Sequence, residues 1–345
     1  MRFPSGDPEF PGTAFPIEPF DASFVYPAPP RKFQSRRWLH AVLLLLTAAT
    51  TTVAGAEHYV IFARLPLPPG PDALWKIPFF FARLLVHFWH TGLLVQGLWY
   101  SGTLLAILGS HEMGHYLLCR RYNVDASLPY FLPLPPFIFP TGTLGAVIKI
   151  REAFPTRKVL FDIGVAGPIA GFVVLVPALF YGMSLSNTVP APTSGEVMFL
   201  GEPLLFKLAT TMFFAGVPDT MSLNLHPMAF AAWFGMLATA LNLLPFGQLD
   251  GGHITYSTLG RWSTPISIAT VGSAIVMTFL SVSWMLMTVM MLVMLFTLGP
   301  RHPRVLYEYE PLGTTRNLIA VFALIMFILC FTPVPIQLQD LVGGR

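Results

Sequence analysis

The chain has 345 residues, of which 54% are hydrophobic and 11% charged. A soluble domain carries roughly 25% charged residues, so a shortage this large excludes an ordinary water-soluble fold and makes lipid the main solvent. The net charge of +3 is too small to suggest a nucleic-acid partner, and the 2 cysteines, Cys119 and Cys330, lie in apolar runs and cannot define a disulfide framework. The 33 prolines are many for a bundle of plain helices and announce irregular backbone.

Residues 1–37 read as a disordered, proline-rich cytoplasmic tail. The first thirty carry scattered acids and no basic start followed by an apolar core, so they are not a secretory signal. Those acids, and the lack of an Arg/Ser bias, also argue against an organellar transit peptide. A bilayer crossing needs about 20 apolar residues. Segments 39–61, 98–122, 160–182 and 227–246 qualify. The run 265–298 would be about 50 Å long as a helix, too long for one crossing, and is divided around residues 281–283 into two short helices. Segment 318–331 is the last. The fold class expected is therefore an all-α polytopic membrane protein of about seven transmembrane helices, with a small membrane-associated β strand or hairpin between the second and third.

Segment 77–96 is apolar but carries Arg83, His87 and His90. Arg31, Lys32, Arg36 and Arg37 flank the first span and are expected on the cytoplasmic side. The later basic clusters, around Arg120 to Lys158, at Arg261 and from Arg301 to Arg316, fall on that same side only if 77–96 does not cross. It is read as interfacial or re-entrant, with an eighth span as the alternative. His87 and His90 then flank a water path or sit at the interface.

The second span contains "HEMGH", residues 111–115. His111 and His115 are four apart, so on a helix both imidazoles face one way, as two ligands of one zinc ion require. Glu112 beside them is placed to take a proton from attacking water rather than to bind metal, completing the H-E-x-x-H pattern of zinc hydrolases. Charged groups at membrane depth are expensive and default to functional readings. A pair of packing histidines with an interhelical glutamate is the structural alternative. Cys119, one turn beyond His115, is too far from His111 to share its ion and is read as packing.

After the second span, "LPYFLPLPPFIFPTG" is apolar yet too rich in proline to be helical, and "TLGAVIKI" reads as a strand. Greasy non-helical backbone is tolerated at membrane depth only where protein or a water-filled cavity satisfies it, and its edge could pair with an extended peptide. In the third span Gly167, Pro168 and Gly171 permit close helix packing.

Zinc needs a third protein ligand. "LNLLPFGQLDGGH", residues 241–253, offers Asp250 at the end of the fourth span, with Pro245, Gly247, Gly251 and Gly252 breaking the helix around it. Two histidines and one carboxylate leave a fourth position for water, the arrangement of a catalytic zinc site. The alternative for Asp250 is a capping residue in a glycine turn. Asn242 could hydrogen-bond substrate backbone or an oxyanion, or make a helix–helix hydrogen bond. His253 could stabilise the tetrahedral intermediate or be a plain loop histidine.

"HEMGH" followed by "NLLPFGQLDGG" resembles the site-2 protease family of intramembrane zinc metalloproteases, whose pattern is H-E-x-x-H plus N-x-x-P-x-x-x-L-D-G. "GTLGAVIKIREAFPTRKVLFDIGVAGPIAGF" and "LHPMAFAAWFGMLATALNLLP" are similar to the subgroup of plant chloroplast EGY proteins and bacterial relatives. The resemblance implies one Zn2+ per chain held by His111, His115 and Asp250, with Glu112 as general base. It also implies a strand near residues 142–150, including Gly145 and Val147, that pairs with unwound substrate. Residues 38–335 would form the intramembrane metalloprotease domain, with a catalytic core at 98–311, and 336–345 a short C-terminal tail. The implied partners are a transmembrane protein substrate and the bilayer, with no nucleic acid. The expected location is a bacterial cytoplasmic membrane with the N-terminus cytoplasmic. A zinc or proton transporter, or a catalytically silent metal-binding scaffold, stays as the alternative because buried His and Asp also line ion paths.

Overall fold

The computed structural model describes residues 32–66, 77–193, 195–218 and 220–341. The tail expected at 1–37 lies mostly outside these residues. The first helix, α1, is Arg37–Ala63, followed by α2, Ile77–His90, and α3, Leu93–Arg121. α2 has 14 residues and is about 21 Å long, short of a bilayer core about 30 Å thick. Gly92, with φ of 72°, turns the chain from α2 into α3, so segment 77–96 forms two helices rather than one.

A hairpin follows α3: β1, Tyr130–Pro133, pairs antiparallel with β2, Thr143–Val147, through a register shift between Phe131 and Pro133. It lies along α1, where His40 Nδ1 donates to the Pro129 carbonyl and Thr50 Oγ1 to the Gly142 carbonyl. Side-chain donors from α1 thus bond carbonyls of this Pro-rich backbone, the Gly142 carbonyl also accepting the Leu134 N–H.

α4 is Arg157–Ser184, opened by Thr156, whose Oγ1 accepts from the Val159 N–H. It keeps Pro168 and Pro177 inside the helix and buries Leu160, Phe161, Leu175, Leu179 and Met183 fully or almost fully. The stretch between α4 and the next core helix is folded as well. It contains β3, Asn187–Pro190; β4, Gly195–Leu200; α5, Leu204–Phe214; and β5, Met221–Asn224. β3 pairs with β5 in a separate two-stranded sheet.

α6, Pro227–Asn242, starts as its sequence dictates, with His226 as N-cap and proline in the first turn. It has 16 residues, about 24 Å, and ends at Asn242 rather than at residue 246. Ala231, Ala232, Trp233 and Met236 are all 0% exposed, so α6 is a central packing helix with little lipid-facing surface. Its Trp233 Nε1–H donates to the Gly201 carbonyl at 2.7 Å. α7, Asp250–Leu259, runs through a 3-10 turn at Gly260–Trp262 into α8, Ser263–Leu280. Asp250 therefore opens the next helix instead of closing the fourth span, and the fifth apolar helix begins 15 residues before the expected 265. Gly251 and Gly252 do not break it. A Cβ on Gly251 would collide with the Leu243 carbonyl, and one on Gly252 with the Gly247 carbonyl, so both are glycine because backbone presses on them.

α9, Met285–Leu298, follows the break expected near residues 281–283, and α10, Thr314–Cys330, precedes β6, Ile336–Leu341. β6 pairs with β4 from Leu200↔Ile336 to Gly195↔Leu341, so the segment read as a short tail from residue 336 begins with a strand. Among the described residues four helices are long and apolar enough to cross a membrane: α1, α3, α4 and the 31-residue run Asp250–Leu280. Outward apolar side chains such as Val173, Phe279 and Phe296, 66%, 86% and 83% exposed, suit contact with lipid. The chain is a polytopic helical membrane protein. Within it α3 packs on α1, α4 and α6, and α4 packs on α6 and α7, which brings the conspicuous motifs together.

Candidate metal centre

His111 and His115 project from the middle of α3, one turn apart. Asp250 reaches them from the first residue of α7 because the chain after Asn242 turns through Pro245 and Gly247, the latter with φ of 51°. His111 Nε2 lies 3.1 Å from Asp250 Oδ2, His115 Nε2 lies 3.3 Å from Asp250 Oδ1, and the two Nε2 atoms are 3.2 Å apart. Both histidines are buried, to 6% exposure, and the Asp250 side chain is 14% exposed.

The donor set fits zinc. Ligand bonds of about 2.0–2.1 Å at tetrahedral angles place donor atoms about 3.3 Å from one another, close to the separations found here. Tautomer chemistry points the same way. His115 Nδ1 lies 2.7 Å from the Ile163 carbonyl, which can only accept, so Nδ1 carries the proton and a neutral ring presents a bare Nε2 to the cluster. Lone pairs and a carboxylate converging on one point are an arrangement for a cation.

α4 builds the wall behind these rings. A Cβ on Gly167 would collide with His115 Nε2, and one on Gly171 would sit 3.3 Å from His111 Cβ. Pro168 in the same turn withholds the N–H that the Gly164 carbonyl would otherwise accept. The small residues that the sequence marked for close packing thus pack against the metal-site imidazoles themselves.

Glu112 is 7% exposed and stands outside the set of three converging donors. Its carboxylate faces the backbone N–H of Ile148, the residue after β2. The hairpin therefore ends at Glu112. Among the described residues β2 has β1 on one side only, and Leu144 and Val147 are 57% and 49% exposed. Gly145 adopts φ of 104° with open space where a Cβ would stand. Its N–H is already taken by Thr143 Oγ1 at 3.0 Å, and its carbonyl accepts from the same hydroxyl at 3.2 Å. A peptide pairing at Gly145 has to displace that hydroxyl, whereas Val147 carries no such local bond.

Asn242 closes α6 with Nδ2 3.4 Å from His111 Nε2, so the structure brings it to the rim of the donor set. His253, one turn after Asp250, pairs with His302, which no motif marks. His253 Nδ1 and His302 Nε2 are 2.6 Å apart, and His302 Nδ1 is 2.6 Å from the Pro303 carbonyl. Burial lowers the pKa of His302 below that of a free imidazole, against an opposing contribution from the Pro303 carbonyl. With its Nδ1 proton on that carbonyl, neutral His302 accepts at Nε2, and His253 Nδ1 is the donor. A neutral His253 then carries no proton on Nε2 and can only accept there, the reverse of what an oxyanion donor needs. Tyr256 stacks on His302 at 4.5 Å and donates its hydroxyl to Glu308. The 299–313 segment is held over this end of the site by Leu306 and Tyr307 N–H bonds to the Phe154 and Pro155 carbonyls. Cys119 is buried against Val124 and Ile163, a packing position.

Membrane-crossing helices around a converging two-histidine, one-carboxylate donor set define an integral membrane metalloprotein. The chain belongs to Peptidase family M50, whose sequence model matches residues 99–287. It is similar to the probable zinc metalloprotease EGY1, chloroplastic, of Arabidopsis thaliana, with 30% identity over 247 residues, 69% of this chain and 43% of that protein. The probable zinc metalloprotease EGY2, chloroplastic, of Arabidopsis thaliana is 28% identical over 224 residues, 62% of this chain and 39% of its own. The EGY3 counterpart of Oryza sativa subsp. indica is 29% identical over 248 residues, 66% of this chain and 40% of its own. The chain spans less than half the length of these relatives. The family match contains His111, Glu112, His115, Asn242, Asp250 and His253, and leaves out His302 and α10.

Proposed function

We propose that this chain is an intramembrane zinc endopeptidase that hydrolyses peptide bonds within or near transmembrane segments of other membrane proteins. The observation that carries this reading is the set of three converging donors 3.1–3.3 Å apart with Glu112 on the same helical turn as the histidines. His111, His115 and Asp250 hold the ion. Zinc, when bound there, acidifies water toward a pKa of about 7 and polarises a carbonyl. Glu112 takes the proton of the attacking water and returns it to the leaving amine. Asn242 Nδ2 is the donor placed to meet the developing oxyanion. His253, with its Nε2 unprotonated, orients substrate or water by accepting a hydrogen bond.

A transmembrane helix hides its carbonyls in its own hydrogen bonds, so the substrate must unwind before attack. The open side of β2 offers backbone groups, Val147 foremost, to the unwound segment. Helix-breaking residues near the cut favour cleavage for the same reason, and rates unchanged by Gly or Pro in a substrate helix would count against this step.

Counting the shorter helices α6, α9 and α10 with the four long ones gives seven spans, with α2 lying at the interface. The basic residues before α1 put the N-terminus on the cytoplasmic side. The membrane proposed is a bacterial cytoplasmic one. The function is tested by metal analysis and proteolysis of a candidate membrane substrate with the purified chain. The wild type should hold one zinc and cleave, Asp250→Ala should lose both, and Glu112→Gln should keep zinc and lose cleavage. A Glu112→Gln protein that still cleaves would remove the hydrolase reading.

A further inference from the structure

The β1–β2 hairpin borders Glu112, and its turn does not set its register. Tight turns fix the pairing of a hairpin through loop length and turn type. Residues 134–142 connect these strands instead, with Pro135, Pro136 and Pro140 among them, and the ladder shifts between Phe131 and Pro133. A slip of one residue would turn every side chain of β2 to the other face. The β1 leg and the tip are held from α1 and α3: the Pro129 and Gly142 carbonyls bond His40 and Thr50, and Tyr100 donates to the Thr141 carbonyl at 3.3 Å.

The leg that leaves β2 is held at the root, where both legs close on one carboxylate. Asp125, 9% exposed, accepts Arg151 Nη1 at 3.3 Å on Oδ1 and 3.2 Å on Oδ2. The backbone pairs across the same root, Arg151 N–H to the Asp125 carbonyl and Ser127 N–H to the Lys149 carbonyl, both at 2.9 Å. Residues 33–35, just before α1, form a strap over it. Phe33 N–H donates to Asp125 Oδ1 at 2.6 Å, Arg151 Nη2 donates to the Gln34 carbonyl at 2.8 Å, and Leu128 N–H donates to Ser35 Oγ at 3.4 Å. The Arg120 guanidinium, in the last turn of α3, lies 4.6 Å over the Phe33 ring. Phe33 has φ of 59°, a region that a bulky residue keeps only where its surroundings hold it.

We propose that Asp125 is a positioning residue for substrate: with Arg151 and the strap it clasps the hairpin root and so sets the β2 edge beside Glu112. The proposal rests on the endopeptidase reading above. Arg151 follows Val147 by four residues, about 13 Å of strand, short enough for the clasp to fix the register of the edge. The strap bonds the root while Leu144 and Val147 stay exposed, so it holds the hairpin without covering its edge.

The test uses the full chain in liposomes with a single-span reporter protein whose transmembrane helix carries a Gly-Pro break. Cleavage kinetics, zinc content, thermal midpoint and amide exchange at residues 143–148 are measured together. Asp125→Asn keeps the shape of the side chain and removes its charge. It should raise KM about tenfold and speed exchange along 143–148, with zinc retained and kcat within about twofold. Arg151→Gln should act alike, and Arg151→Lys, which keeps a cation for Asp125, should recover most of the KM. A KM for Asp125→Asn within about twofold of wild type overturns the proposal. So does a loss of kcat, zinc and thermal midpoint in step, which a residue serving only the fold would give. A wild type that holds zinc yet leaves the reporter uncut removes the endopeptidase reading itself, and this proposal with it.

Discussion

The α3–α4 wall and the β1–β2 hairpin both border the H-E-x-x-H motif, and they are built on opposite terms. Along the wall, Gly167 and Gly171 let two helices close until a methyl group would strike the His115 ring. In the hairpin, Gly145 has empty space beside it and β2 has one side unpaired among the described residues. Position 167 is glycine because there is no room, and position 145 is glycine because the backbone has turned to a positive φ. The first region leaves the His115 ring no room to move toward α4. The second holds an edge open next to Glu112.

The sharpest way to break this contrast is at the point where the two regions meet. Glu112→Gln should lower proteolysis by about 10²–10⁴-fold while zinc, measured by metal analysis, stays at one per chain. Zinc lost along with activity would mean that Glu112 belongs to the wall instead. Gly167→Ala should act through the metal, weakening zinc about 10–100-fold in a competition assay with a chelator. His302→Phe leaves the His253 Nδ1–H without its acceptor. It should lower stability by about 1–3 kcal/mol in thermal or denaturant unfolding, with zinc affinity unchanged. The smallest effect is expected from Gly145→Ala, which has room but the wrong backbone region. It should cost about 1–2 kcal/mol at the hairpin, seen as faster amide exchange there, and leave zinc bound. Equal zinc loss from Gly145→Ala and Gly167→Ala would erase the distinction.

What the sequence disclosed follows from how each feature is encoded. His111 and His115 are bound by a local period, four residues on one helix, so their shared direction was legible. Asp250 was legible by chemistry, as the carboxylate next to a break, but its place was misread. Gly251 and Gly252 looked like helix breakers when they are the first turn of α7, kept bare by carbonyls from Leu243 to Gly247. Nothing in a pattern of residues distinguishes a glycine that bends a helix from one that yields to a neighbour. The sheets pairing β3 with β5 and β4 with β6 join strands of four to six residues across long gaps, which leaves almost no periodic signal. His302 escaped for a related reason. It lies 49 positions from His253, between an arginine and a proline, and only the fold makes them neighbours.

The donors come from two places far apart in the chain, two from α3 and one from the start of α7, 139 positions after His111. An ion held between them ties shut a loop that includes the hairpin, α4, α5 and α6. Closing a loop of that length opposes a large chain entropy, and the opposition grows only slowly with length. The metal is therefore also a rivet. Chelation should loosen the seam between α3 and α7 first, before the packing of α1 on α3 is disturbed.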